Sequence, residues 1–372
     1  MSDAPAAAPA ALAGARASPA GSGMAAPGFG RLVQAVQANC DISDARHARD
    51  MTLCNYLLDM REFYRWECGK PFAETLARAD VGQWIARREA LWETLADADF
   101  MPLPVMGRDV EPFAAAAVNA ALAPAGLVYG AGIGPFGKPQ FFLGELGHDE
   151  RRGQVRVLVS RREFARDLSP PPAALQGDTV YLRHESLQRW LWGKVETWGV
   201  KKPDGAWQRA LAAYGFDADP RLAVERMAEA EAETLIMHEL GEFAAGQLLG
   251  GQWQEMRAGF TGRRAEIVAR AVRDNLADCL VTLPALMDRN ATASIHFWFA
   301  NFDGMRRELF PLLAGAYAKL IDGDDGHALE SAITAGQRHW RDAARRLLDL
   351  FLAGGAGEPA AAGLAEMAET RL

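Results

Sequence analysis

The sequence predicts an α+β fold that is predominantly α-helical: a helical N-terminal part, a small antiparallel sheet in the middle and a helical C-terminal half. Three observations carry this. Apolar residues recur at three- and four-residue spacing over 29–93 and again from 185 almost to the end. Between 127 and 183 they give way to short β-branched or aromatic runs bounded by Gly, Pro and Asp. The first 28 residues follow neither pattern.

Residues 1–28 are built from Ala, Pro, Gly and Ser, with Leu12 the only leucine and no aromatic side chain. Such a segment cannot bury enough apolar surface to offset the entropy of ordering it, so a disordered tail is expected. Asp3, Pro5 and Pro9 break the basic start and apolar run of a signal peptide, and Met24 offers an alternative initiator. A helical region with the small sheet follows over 29–184, then a helical domain over 185–372.

Leu32, Val33 and Val36, and later Leu53, Tyr56, Leu57, Met60, Phe63 and Tyr64, mark two helices, with Asp41–Asp44 (DISD) expected between them as capping groups. Trp84, Ile85, Leu91 and Trp92 mark a third, before a turn-rich section at 101–112 and a short alanine-rich helix to Leu122. Strands are expected at 127–129, 140–146, 154–160 and 179–183, with Pro170–Pro172 as a loop before the last. The C-terminal helices are expected at 185–199, 219–249, 262–287, 304–322, 326–353 and 359–370, punctuated by Gly250-Gly251, Pro284 and Gly354-Gly355.

Forty basic against forty-eight acidic side chains give a net charge of −8, which excludes the concentrated basic face of a general nucleic-acid binder. No apolar run reaches the ~18 residues of a membrane span. Four cysteines, Cys40, Cys54, Cys68 and Cys279, without a C-x-x-C pair fit a reducing, cytoplasmic setting. Cys54 and Cys68 are close to four helical turns apart and are expected to share a buried face. Trp190, Trp192 and Trp198 read as packing residues.

Gly132 to Lys138 has the spacing of a phosphate loop, G-x-x-x-x-G-K, but Pro139 stands where Ser or Thr is needed and a strand follows instead of a helix. A glycine-rich hairpin loop is the expectation.

The stretch that carries chemistry is Leu235-Ile236-Met237-His238-Glu239-Leu240-Gly241-Glu242. On a helix, His238 and Glu242 are i and i+4 and share a face, so an imidazole nitrogen and a carboxylate can hold one divalent metal. Glu239 projects about 100° away and can reach water from the side. This string resembles the H-E-x-x-H helix of zinc metallopeptidases, with Glu242 in place of the second histidine. The resemblance implies His238 as a metal ligand and Glu239 as the catalytic general base, with a third ligand from an acidic residue on a later helix. A carboxylate ligand also opens the site to iron or manganese beside zinc. Asp274 and Asp278, i and i+4 on an otherwise apolar stripe, are the candidates for the third ligand, and His296 among aromatic neighbours is another. His47, His148, His184, His327 and His339 sit in charged or loop-like contexts and suggest no site.

The strings Asn39–His47, Tyr56–Glu67 and Phe136–Phe142, with the helix centred on His238, together resemble an uncharacterised bacterial protein family of unknown function over about residues 30–350. That resemblance implies a bacterial, cytoplasmic protein and carries over no catalytic residue. The first functional expectation is thus a metal-dependent hydrolase acting on a small-molecule or peptide substrate. The alternative is a non-catalytic helical accessory or interaction protein, in which Arg263, Arg264, Arg270 or Arg273 pair with these acids in a buried charge network.

Overall fold

The computed structural model describes residues 28–134, 137–201, 205–260, 263–354 and 371–372. Residues 1–27 of the expected tail at 1–28 and the expected helix at 359–370 lie outside the described residues, as do Pro135 and Phe136 of the glycine loop. The chain is α+β and mostly helical, as its periodicities predict.

The N-terminal helices are α1 (Phe29–His47), α2 (Leu53–Glu67) and α3 (Arg78–Glu93). Helix α1 runs straight through Asp41–Asp44, where the sequence suggested a break. These polar groups do not cap; other elements satisfy them. Arg88 and Trp92 of α3 donate to Asp41 at 2.8 and 3.2 Å. Lys138 and the Leu168 amide each donate to Asp44 at 2.7 Å. Cys54 and Cys68 are both exposed, contrary to the shared buried face, whereas Cys40 and Cys279 are buried.

The turn-rich section contains a hairpin, β1 (Leu103–Val105) and β2 (Arg108–Val110), that its sequence did not announce. Met106 and Gly107, with φ of 49° and 76°, supply the left-handed pair that a two-residue hairpin turn needs. After α4 (Ala115–Leu122) come β3 (Leu127–Ile133), β4 (Pro139–Arg152), β5 (Val155–Arg166), β6 (Ala173–Gln176) and β7 (Thr179–Arg183). They form one curled sheet in the order β3-β4-β5-β7-β6. Its ladders are antiparallel except that β7 runs parallel to β5, with Val157 opposite Val180. The proline loop before β6 carries the chain to the outer edge, and the tight β6–β7 hairpin then returns β7 beside β5. Lys138 ends the glycine loop on Asp44, and Pro139 opens a strand, so the loop is followed by a strand and not by a helix.

The C-terminal half comprises α5 (His184–Lys201), α6 (Gly205–Ala213), α7 (Pro220–Leu249), α8 (Gly251–Ala258), α9 (Arg263–Ala277), α10 (Leu283–Asp288), α11 (Thr292–Ala300), α12 (Gly304–Leu309), α13 (Pro311–Ile321) and α14 (His327–Gly354). Two expected helices are divided. A π-helical turn at Asp278–Thr282 separates α9 from α10. Pro311, lacking an N–H and restricting Phe310 to φ −125°, ψ 57°, separates α12 from α13.

Helix α7 ties the molecule together. Asp219 accepts from the Leu222 amide at 3.0 Å and Pro220 takes the first helical position, a strong start signal. Gly250, at φ 72°, ends it. Ile236 packs on Val155, Val157, Val180 and Leu182 of the sheet. Val224 and Met227 pack with α5 and α6 around Trp207. Ala245 and Leu249 join the C-terminal core with Trp253, Leu276 and Trp340. No described helix is long and apolar enough to cross a membrane.

Candidate functional site

Between α7 and the end of α9 the two chain segments approach unusually closely. A Cβ on Gly241 would stand 2.5 Å from the Ala277 carbonyl oxygen, so only glycine permits this contact. The approach brings the His238 turn of α7 against the π-turn, which starts at Asp278 and turns that carboxylate inward. Wide turns of this kind recur at functional sites.

His238 Nδ1 and Asp278 Oδ1 are 2.8 Å apart, and Asp278 is 1% exposed. The same carboxylate accepts from Trp298 Nε1 at 3.2 Å and from Arg306 at 2.5 Å. Burial pulls the imidazole towards neutrality, but Asp278, Glu239 and Glu242 outweigh it and push the pKa of His238 up to about 10. Burial opposes charge on Asp278 too, yet Arg306 and His238 hold its carboxyl down at about 2. The pair is therefore a charged imidazolium–carboxylate.

His238 Nε2 faces Glu242 Oε1 at 3.7 Å. That oxygen accepts from Arg273 at 2.5 Å, and the same guanidinium nitrogen lies 3.1 Å from Asp274. Burial raises the Glu242 carboxyl, with Asp274 adding to the rise and Arg273 opposing it. Glu239 is buried and points away toward β6, where Leu175 donates a backbone hydrogen bond to it. Burial first, then Glu242, lift its carboxyl to about 8.

Four of the sequence candidates thus converge beside Glu239: His238, Glu242, Asp274 and Asp278. His296 does not; its Nδ1 lies 2.8 Å from the Tyr317 hydroxyl, in a separate aromatic setting. Arg270 pairs with Glu266, and the side chain of Arg263 lies outside the described residues. Arg306 and Trp298 escaped the sequence reading, because residues 28 and 20 positions beyond Asp278 in other helices leave no local periodic signal.

A resident metal fits this arrangement poorly. Among the described residues, no group of three or more His, Cys, Asp or Glu side chains is placed to hold a metal ion. Asp278 is occupied by Trp298 and Arg306, and the position in front of Glu242 and Asp274 is taken by a guanidinium.

An α+β chain whose long central helix carries a buried His–carboxylate–arginine cluster is the class that fold and site define. Its sequence belongs to DUF6866, a family of unknown function: the N-terminal domain model of the family matches residues 31–183 and the C-terminal domain model residues 188–371. Neither a curated protein nor a solved structure matches the chain.

Proposed function

We propose that the α7–α9 cluster is a structural charge network, and that the chain is a non-catalytic binding or accessory protein. The observation that carries this reading is the place of Arg273, 2.5 Å from Glu242 and 3.1 Å from Asp274, where an inorganic cation would otherwise sit. Arg306 performs the same service for Asp278. The pattern recurs far from the site: Arg183 holds Glu163, Arg88 holds Asp41 and Glu67, and Arg189 holds Glu62 and Glu185. Internal pairing is a recurrent way in which this sequence places charge in its core, since an unpaired buried charge is expensive.

One observation favours a second reading, the metal-dependent hydrolase. Asp278 fixes the His238 ring through Nδ1, as carboxylates orient metal-binding histidines, and leaves Nε2 facing Glu242. Two ~2.1 Å ligand bonds to one ion would span about 3.5 Å, close to this separation. His238 and Glu242 would then be the ligands and Glu239 the neighbouring acid–base group, with Arg273 displaced. Zinc, iron and manganese are the candidate ions.

Elemental analysis of protein purified without a histidine tag decides between the two. Less than a tenth of an equivalent of metal, before and after reconstitution with zinc, iron and manganese, supports the structural network. Close to one equivalent that vanishes in His238→Ala overturns it in favour of the hydrolase.

A further inference from the structure

A cavity of about 270 Å³ opens beside the cluster, between the C-terminal end of α7, helix α8, Arg273 of α9 and the β6–β7 turn. Its walls carry two guanidiniums, Arg257 and Arg273, with Gln247 and Gln254 as exposed amides and Trp253 as an apolar side. The two arginines differ in state. Arg273 is fixed by Glu242 and Asp274. Arg257 has no hydrogen-bond or ion-pair partner among the described residues, and its Nε is buried without an acceptor. Elsewhere in this half Arg270, Arg289 and Arg306 each hold a carboxylate. Trp253, 2% exposed, also leaves its indole N–H without an acceptor.

We propose that this cavity binds a small organic monocarboxylate, its carboxylate paired with Arg257 beside Arg273 and its apolar part against Trp253. A planar guanidinium matches a carboxylate in bidentate fashion, and a partly desolvated one gains most from it. The start of α8 at Gly250-Gly251 adds the positive end of a helix dipole to the same wall. A single negative charge suits the site better than two, because Glu242 lines the cavity and Asp274 stands behind Arg273. Burial and the nearby Arg273 and Arg270 already disfavour the charge on Arg257, which an incoming anion would relieve. The volume suits a ligand of roughly metabolite size, at the small end of pockets that bind such molecules. This inference rests on the structural reading in one respect: Arg273 must stay on its two carboxylates.

The test uses the full chain in EDTA, titrated with benzoate and separately with inorganic phosphate, and read by calorimetry and by saturation-transfer NMR on the benzoate. Expected is saturable benzoate binding that weakens at least tenfold in Arg257→Gln and in Gly246→Leu, with phosphate at least tenfold weaker than benzoate. Gly246 lines the cavity with open space where its Cβ would stand, so leucine fills the volume without touching a charge. Should Arg257→Gln fail to fold, Gly246→Leu alone decides. No saturable benzoate binding, tighter phosphate binding, or benzoate binding indifferent to the folded variants overturns the inference. Metal content measured on the same preparations before EDTA is added, as purified and after reconstitution with zinc, iron and manganese, keeps the two questions apart: stoichiometric metal overturns the structural reading, whereas metal-free protein that ignores benzoate overturns only the cavity.

Discussion

His238 Nδ1 and Asp278 Oδ1 meet at 2.8 Å across forty residues of sequence, and this contact fastens the central helix α7 to the π-turn after α9. Both partners are ionised at neutral pH by virtue of each other and of Arg306. Removing the carboxylate strands charge on both sides of it, whereas without His238 Asp278 still keeps Arg306 and Trp298. Asp278→Asn leaves the imidazolium and Arg306 without their anion, and a loss of roughly 3–5 kcal/mol is expected by analogy with other broken buried pairs. Urea denaturation of wild type and variant at pH 7 measures it; a loss below 1 kcal/mol would show that the contact does not fasten the helices.

The same pair sets a pH dependence. His238 has a folded pKa raised from its ordinary 6.5 to about 10, so its contribution is complete below pH 6.5 and is lost as pH rises toward 10. Asp278, lowered from 3.8 to about 2, contributes fully above pH 3.8 and loses its effect as pH falls through 2. Stability of the wild type relative to His238→Gln should therefore shrink steadily between pH 7 and 10. Equal slopes for the two proteins over that range would contradict it.

Glu239 works in the opposite sense to Asp278. Its folded pKa is raised from 4.5 to about 8, so the folded state retains a proton that the unfolded chain has lost, and stability falls as pH rises between those values. Glu239→Gln keeps an acceptor for the Leu175 amide and removes that cost. The variant should unfold above the wild type at pH 8 and close to it at pH 4.5, by thermal melts in matched buffers. A melting point several degrees below wild type at pH 8 would show that the ionised carboxylate holds the fold. In the hydrolase reading the same variant keeps its metal and loses activity, so one protein serves both questions.

How much of this was legible depends on the range of the signal. The i, i+4 relations exposed His238 and Glu242 within α7, and Asp274 of α9 with Asp278 at the start of the π-turn that continues it, because each pair lies on one continuous helical stretch. Arg306, which completes the Asp278 pairing, lies in a different helix and left no mark in the local pattern. Asp41–Asp44 read as a helix break because Asp and Ser favour caps; their buried partners on α3 and in the loop at Lys138 are tertiary facts that override that preference. The parallel β5–β7 pairing was hidden for the same reason, since short strands with short connections suggest hairpins throughout.

Lys138 matters for a reason unrelated to the phosphate loop it mimics. It meets Asp44, fully buried, at 2.7 Å. Burial pushes the Asp44 carboxyl up, Lys138 pulls it back, and the balance lies at about 6. Lys138→Ala should cost about 3–5 kcal/mol at pH 7, where the stranded carboxylate must stay charged or take up a proton. The cost should diminish at pH 5 as Asp44 protonates. Denaturation curves at the two pH values test this, and a pH-independent loss would assign the effect to packing. ATP affinity should be nil in both proteins; saturable micromolar binding that disappears in the variant would restore the nucleotide reading.

Two glycines of α7, five residues apart, should respond in opposite directions to the same substitution. At Gly241 an added methyl would meet the Ala277 carbonyl oxygen at 2.5 Å, and that atom belongs to backbone that cannot turn aside. Gly241→Ala must therefore push α7 off the π-turn, stretching the His238–Asp278 contact and the Arg273 bridge to Glu242. Overpacking of this kind costs typically about 1–3 kcal/mol. At Gly246 the same methyl meets nothing within 4 Å, so Gly246→Ala gains helix propensity without a clash. Replacing glycine within a helix stabilises by roughly 0.5–1 kcal/mol. Chemical denaturation of the two single variants is the measurement, with amide exchange of the 278–282 turn as the local probe. Faster exchange there in Gly241→Ala, with unchanged exchange in Gly246→Ala, is expected if close approach at Gly241 is what seats the charge network. A neutral Gly241→Ala would mean that α7 and the turn have room to separate, and the tight contact would then not be what holds His238 against Asp278.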